Sequence, residues 1–144
     1  MREVILCKYG EIVLKGLNKS YFESLLTAQI KRKLKELGPC DISTCQSVLY
    51  IEPRSDDFDF EEALRRVNTV FGISAVIRAA ACEKDMEEIK KTAAEYLPRY
   101  IKGTETFKVT GKRSDKRFQF TSPEISAEVG GAILEKVPGL KVDL

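Results

Sequence analysis

Cys40-Asp41-Ile42-Ser43-Thr44-Cys45-Gln46-Ser47-Val48-Leu49-Tyr50-Ile51-Glu52-Pro53 reads as two adjacent strands of opposite character. The first, Cys40 to Cys45, is mostly polar, the composition of an edge strand that must not pair with another chain. The second, Ser47 to Glu52, contains Val48-Leu49-Tyr50-Ile51, four residues suited to a strand with apolar neighbours on both faces. Pro53 ends it, because proline cannot donate to a ladder.

A second strand of the buried kind, Val4-Ile5-Leu6-Cys7, lies upstream. Between them a helix is expected from Ser20 to Leu37, with Tyr21, Phe22, Leu25, Leu26, Ile30, Leu34 and Leu37 near a 3.6-residue period. Ser20 and Glu23 have capping-box spacing, and Gly38-Pro39 stops the helix. After Pro53 a helix fits Phe60 to Thr69, with Phe60, Ala63, Leu64 and Val67 inward. Gly72 breaks it, and Ile73 to Ala80 forms a strand. The order β-α-β-β-α-β is the ferredoxin-like split unit, placed at residues 1–80. In that topology the first and third strands are central and the second is an edge. These are the positions the two apolar strands and the polar one occupy.

Residues 81–144 read as a second small unit, making the chain an α/β (α+β) protein. A helix from Asp85 to about Ile101 carries Met86, Ile89, Ala93, Tyr96, Leu97 and Tyr100 as its inner stripe, with Pro98 shortening the last turn. Thr106 to Lys112 alternates as a strand, with Phe107, Val109 and Gly111 on one face and Lys108, Thr110 and Lys112 on the other. A loop, Arg113 to Phe120, leads to a helix from Pro123 to Val137, with Ser122 as cap and Pro123 first inside. Gly130-Gly131 costs that helix ~2 kcal/mol of propensity, which suggests close approach to a strand or a neighbouring domain. Leu140 to Leu144 begins a further strand, so the natural protein is expected to be longer.

The chain has 144 residues, 43% hydrophobic and 32% charged, a globular composition. No apolar run approaches the ~20 residues of a membrane span. Met1-Arg2-Glu3-Val4 lacks the pattern of a secretion signal, so a cytoplasmic protein without a membrane partner is expected. Cys7, Cys40, Cys45 and Cys82 show no C-x-x-C spacing and read as reduced, half-buried thiols. There is no histidine, which removes the usual general base and the commonest metal ligand together. Neither a catalytic residue nor a metal or cofactor site is therefore expected in this chain.

The net charge of +2 is unevenly spread. From Arg99 to Arg117 seven basic residues face two acidic ones, a local excess of five. That field suggests a polyanion meeting one face. Lys108 and Lys112 share a strand face, Arg113, Lys116 and Arg117 crowd the following loop, and the helix beginning at Ser122 points amides to the same end. Cations and amide donors at one place are what phosphate contacts need. The bland alternative is a solvated charged loop, and Phe118 and Phe120 read as core rather than as stacking platforms. A second basic loop, Lys8-Tyr9-Gly10-Glu11-Ile12-Val13-Leu14-Lys15-Gly16-Leu17-Asn18, lacks the pattern of a nucleotide-binding P-loop. Its Lys15 and Asn18 are lesser candidates for backbone contact.

That second loop, with Phe22-Glu23 after it, resembles the opening of bacterial tRNA 4-thiouridine synthetases. Phe107-Lys108-Val109, Lys112-Arg113-Ser114-Asp115-Lys116 and Ser122-Pro123-Glu124 resemble the THUMP domain of the same enzymes, and the likeness extends over the whole chain. It implies a ferredoxin-like domain followed by a THUMP domain, expected to be cut short after Leu144. In the family these two domains grip tRNA, with THUMP engaging the acceptor end. A separate domain uses ATP and sulfur relayed from a desulfurase to make 4-thiouridine, and the same sulfur pathway feeds thiamine thiazole synthesis in some members. The ATP motif S-G-G-x-D-S is absent here, and none of the four cysteines matches the catalytic one. Activity, ATP and sulfur donor are thus assigned to the parent enzyme and its catalytic domain. The function read for this chain is tRNA docking. Its rivals are the front end of another THUMP-containing tRNA-modifying enzyme, such as a methyltransferase, and a ferredoxin-like domain that binds a regulatory metabolite.

Overall fold

A computed structural model describes residues 2–10, 19–101 and 106–143. Two compact units emerge, Arg2–Ala81 and Cys82–Leu144. In the first, strands β1 (Arg2–Tyr9), β2 (Cys40–Cys45), β3 (Val48–Pro53) and β4 (Ile73–Ala81) form one sheet in the order β2-β3-β1-β4. All neighbours are antiparallel. The apolar strands are the central pair and the polar one is an edge, so the βαββαβ reading holds.

Helices α1 (Lys19–Leu34) and α2 (Phe60–Val67) supply the rest of this core. Ile5 pairs with Ile51 and Cys7 with Leu49, placing four fully buried side chains side by side on one face. Against them lie Leu26, Ile30 and Leu34 of α1 and Ala63 and Val67 of α2. Burying each large aliphatic side chain contributes roughly 1.5–3 kcal/mol. The α1 stripe is narrower than the sequence suggests: Tyr21 and Leu25 are exposed. The buried residues repeat every four positions, and these two lie one residue before each repeat, on the flank. The last turn tightens into a 3₁₀ turn at Lys35–Leu37.

Two local expectations are corrected here. Ser20 and Glu23 form no capping box; Ser20 lies inside the helix, and Glu23 instead accepts a hydrogen bond from the Tyr9 hydroxyl. Burial and that carboxylate push the Tyr9 phenol above its usual range. The cysteines are all free thiols, but Cys7 is buried, Cys45 and Cys82 are exposed, and only Cys40 is half-buried. Burial pushes the Cys7 thiol up to about 12.

The hairpin between β2 and β3 turns on two residues, Gln46 (φ 50°) and Ser47 (φ 64°). Both lie in the left-handed region demanded by a two-residue turn that follows the strand twist. Neither is glycine, which is why composition gives no turn signal.

In the second unit, α3 (Met86–Tyr96) is capped by Asp85 and followed by the short α4 (Pro98–Ile101). Proline interrupts the expected single helix at its predicted place. The long helix α5 (Ser122–Lys136) packs beside α3, and Val129, Ile133 and Leu140 form the buried centre, with Ile89, Ala93, Leu97, Phe107 and Val109 around it. Two short parallel strands, β5 (Thr106–Phe107) and β6 (Lys141–Val142), complete it. Among the described residues, no helix is long and apolar enough to cross a membrane.

Candidate nucleic-acid interface

Among the described residues, the expected strand Thr106–Lys112 is paired at Thr106–Phe107, with β6 as its partner. Beyond that point helix α5 takes over the role of partner. The Gly111 N–H donates to Ser126 Oγ at 2.8 Å, and Ser126 Oγ donates to the Ser122 carbonyl at 3.0 Å. Gly111 makes this docking possible: a Cβ there would stand 2.6 Å from the Ser122 carbonyl oxygen. The alternation outlasts the strand. Phe107, Val109, Gly111, Arg113 and Asp115 are half-buried, while Lys108, Thr110, Lys112, Ser114 and Lys116 are exposed.

The five cations read from the sequence divide into two groups. Lys108, Lys112 and Lys116 occupy the exposed positions of the alternation and make no hydrogen bond or ion pair among the described residues. Arg113 and Arg117 are committed. The Arg113 guanidinium turns inward and donates to the carbonyls of Phe118 (3.1 Å) and Phe120 (3.4 Å), bracing the loop. Arg117 folds back on Asp115, through its own N–H at 3.0 Å and its Nε at 3.1 Å. Asp115 also accepts from Lys84 Nζ at 2.8 Å. Arg117 and Lys84 together hold the Asp115 carboxyl well below the usual carboxylate range. Lys15 and Asn18 lie outside the described residues.

The helix start is also corrected. The cap is Thr121, not Ser122, and Pro123 stands second in the helix. Thr121 and Glu124 form a full capping box: Glu124 N–H donates to Thr121 Oγ1, and the Glu124 carboxylate accepts from the Thr121 N–H at 3.0 Å and its hydroxyl at 2.8 Å. Those bonds, with Arg113 nearby, lower the Glu124 pKa. A carboxylate already sits where an anion would use the helix dipole. The positive end of α5 is therefore spent internally, and the exposed lysines carry the field.

Beside this segment lies a cavity of about 400 Å³. Ile89, Val109, Ile125 and Val129 line it, and Lys84, Lys112, Arg113 and Asp115 contribute polar groups. Phe118 reaches into it. Phe118 and Phe120 are half-buried, 5.8 Å apart between ring centroids, and are not part of the core cluster, contrary to the reading of both as core. Among the described residues, no close approach to a strand is found at Gly130-Gly131. A Cβ at Gly130 would meet Val109 at an ordinary 3.8 Å, and one at Gly131 would meet nothing within 4 Å. The close approach is at Gly111, whose only sequence signal was a glycine at an inward strand position. Lys84 escaped notice because it stands 31 residues from Asp115 and outside the basic window.

Residues 4–76 match the family model of the ThiI ferredoxin-like domain, and residues 83–144 match that of the THUMP domain. A probable tRNA sulfurtransferase of Acetivibrio thermocellus is 45% identical over the whole of this chain, and that of Alkaliphilus metalliredigens is 42% identical. The chain spans 37% of the length of each of these relatives. Among solved structures, a 4-thiouridine synthetase in complex with RNA and ATP superposes with a TM-score of 0.83 at 26% identity, over all of this chain and 36% of the other. A protein from Pyrococcus horikoshii gives the same TM-score at 32% identity, over all of this chain and 47% of the other.

Proposed function

The chain belongs to the ThiI family, and from that premise we propose that it docks tRNA for a sulfurtransferase that makes 4-thiouridine. The observation that carries the reading is the row Lys108, Lys112 and Lys116, without a partner among the described residues, on the exposed positions of a segment clamped to α5. Rigid presentation lowers the ordering cost of each contact. Such contacts go to backbone phosphates; they set position and register, and do not read bases. Arg117 joins them from the edge, its side chain 92% exposed even while paired with Asp115. Arg113 is reassigned to bracing the loop that carries them. Lys15 and Asn18 remain lesser candidates for contact.

Catalysis, ATP and the sulfur atom belong in this proposal to the remainder of the parent chain and to a desulfurase partner, working in the cytoplasm. A branch of the same sulfur toward thiamine thiazole belongs to the parent as well. The match to a ThiI-specific first domain favours this reading over the front end of another THUMP-containing enzyme.

Affinity for an unmodified tRNA transcript at 50 and 200 mM salt tests the proposal. Lys112→Ala/Lys116→Ala is expected to weaken binding and to flatten the log–log salt slope by roughly 0.7–0.9 for each phosphate that goes unneutralised. Unchanged affinity and slope would overturn it.

A further inference from the structure

Lys84 and Asp115 lie outside the basic row, yet they share the rim of the same cavity. Lys84 comes from the connection between β4 and α3, Asp115 from the loop before α5. The Asp115 carboxylate is drawn in, with its side chain 26% exposed, while the cations it holds reach outward: Lys84 is 63% and Arg117 92% exposed. Three groups converge on this carboxylate: Lys84 Nζ, the Arg117 N–H and the Arg117 guanidinium. A loop needing only a turn would be served by the Arg117 N–H bond alone, a local Asx-type contact. The two cationic side chains add nothing to that turn. Their shared anchor instead ties two positive heads to one carboxylate, and Lys84 and Asp115 line the same cavity as Lys112.

Resting on the tRNA-docking reading, we propose that Lys84 is a further phosphate-contact residue and that Asp115 is a positioning residue. Asp115 holds Lys84 and Arg117 in the geometry that meets the RNA backbone. A long exposed cation loses much rotamer freedom when it binds, and a carboxylate that has already fixed it lowers that loss. The negative charge of Asp115 weakens the local field, but the ordering of two cations outweighs it.

The test turns on a sign. Asp115→Asn raises the net charge by one, so electrostatics alone makes binding to a polyanion tighter. Positioning makes it weaker. Affinity for the same tRNA transcript is measured at 50 and 200 mM salt for Asp115→Asn, Asp115→Glu, Lys84→Gln and Lys112→Ala/Lys116→Ala. Thermal melts accompany each. Lys84→Gln should lose roughly threefold in affinity, the scale of one exposed ion pair, and about one unit of salt slope. Asp115→Asn should bind more weakly than the unaltered chain, and Asp115→Glu should recover part of the loss. Equal or tighter binding by Asp115→Asn overturns the positioning role. Should that variant melt early, Lys84→Gln, at an exposed position, decides alone: an unchanged slope overturns the contact. If Lys112→Ala/Lys116→Ala weakens binding while Lys84→Gln does not, only this inference fails. If none of the variants changes binding, the docking reading fails with it.

Discussion

The two units hold themselves together by different means. Arg2–Ala81 has a four-stranded sheet and a core in which Ile5, Ile30, Leu49 and Ile51 are almost entirely shielded. Among its described residues Cys82–Leu144 buries fewer large side chains, chiefly Met86, Tyr96, Val129, Ile133 and Leu140, and its strands pair over two residues. Its basic segment is fixed by polar bonds instead: Gly111 to Ser126, Arg113 to two carbonyls, Asp115 to Lys84 and Arg117. The difference teaches that a binding surface needs its polar groups near solvent and so cannot be secured by burial. Directional bonds and one close backbone approach secure it instead.

The contrast can be broken from either side. The largest effect is expected in the first unit: Ile51→Ala leaves a hole between two helices and the central strands and should cost about 2–5 kcal/mol, read from denaturant midpoints. In the second unit Gly111→Ala should cost about 1–3 kcal/mol, since the added carbon must push back the Ser122 carbonyl and Ile125. The same variant should loosen residues 108–116, seen as faster amide exchange there with the β1 and β3 amides still protected. Equal loss of protection in both units would refute the division of labour.

Much of this was legible beforehand, for a physical reason. Strand character depends on which residues stand next to one another, so Val48-Leu49-Tyr50-Ile51 announces a central strand by itself. Gly38-Pro39 ends its helix and Pro98 shortens another within a single turn. The Gln46-Ser47 turn was hidden because its φ values are imposed by strand pairing, against residue preference. In the candidate site the lysine alternation was visible. The roles of Arg113, Glu124 and Lys84 were not, since each depends on a partner that only the folded chain brings close. Thr121 was missed because Ser122-Pro123 is the stronger local signal, while the capping box depends on Glu124 turning back by one residue more.

Smaller effects sharpen the comparison. Gly131→Ala should raise stability by about 1 kcal/mol, because the site is open and helix propensity then acts unopposed. A loss of stability would mean that the open space around it is used. The smallest effect concerns acid. Glu62 accepts from Arg65 at 2.9 Å and from Arg66 at 2.8 Å, and these bonds lower its pKa from 4.5 to about 2. A depressed carboxylate adds stability above its unfolded pKa and surrenders it as the pH falls through the folded value. Melting temperatures should therefore fall less steeply between pH 4.5 and 2 for Glu62→Gln than for the unaltered chain. Parallel curves would remove this residue from the acid response.

The pairing of Arg2 with Ala81 has a mechanical consequence. Both ends of the first unit leave the sheet at the same end of one ladder, in neighbouring antiparallel strands. A pull between them loads one hydrogen bond at a time, so the sheet should peel open like a zipper under small forces. A shearing geometry would make all of the bonds resist together. The same adjacency lets the whole unit be spliced in or out of a longer chain with a short gap to bridge.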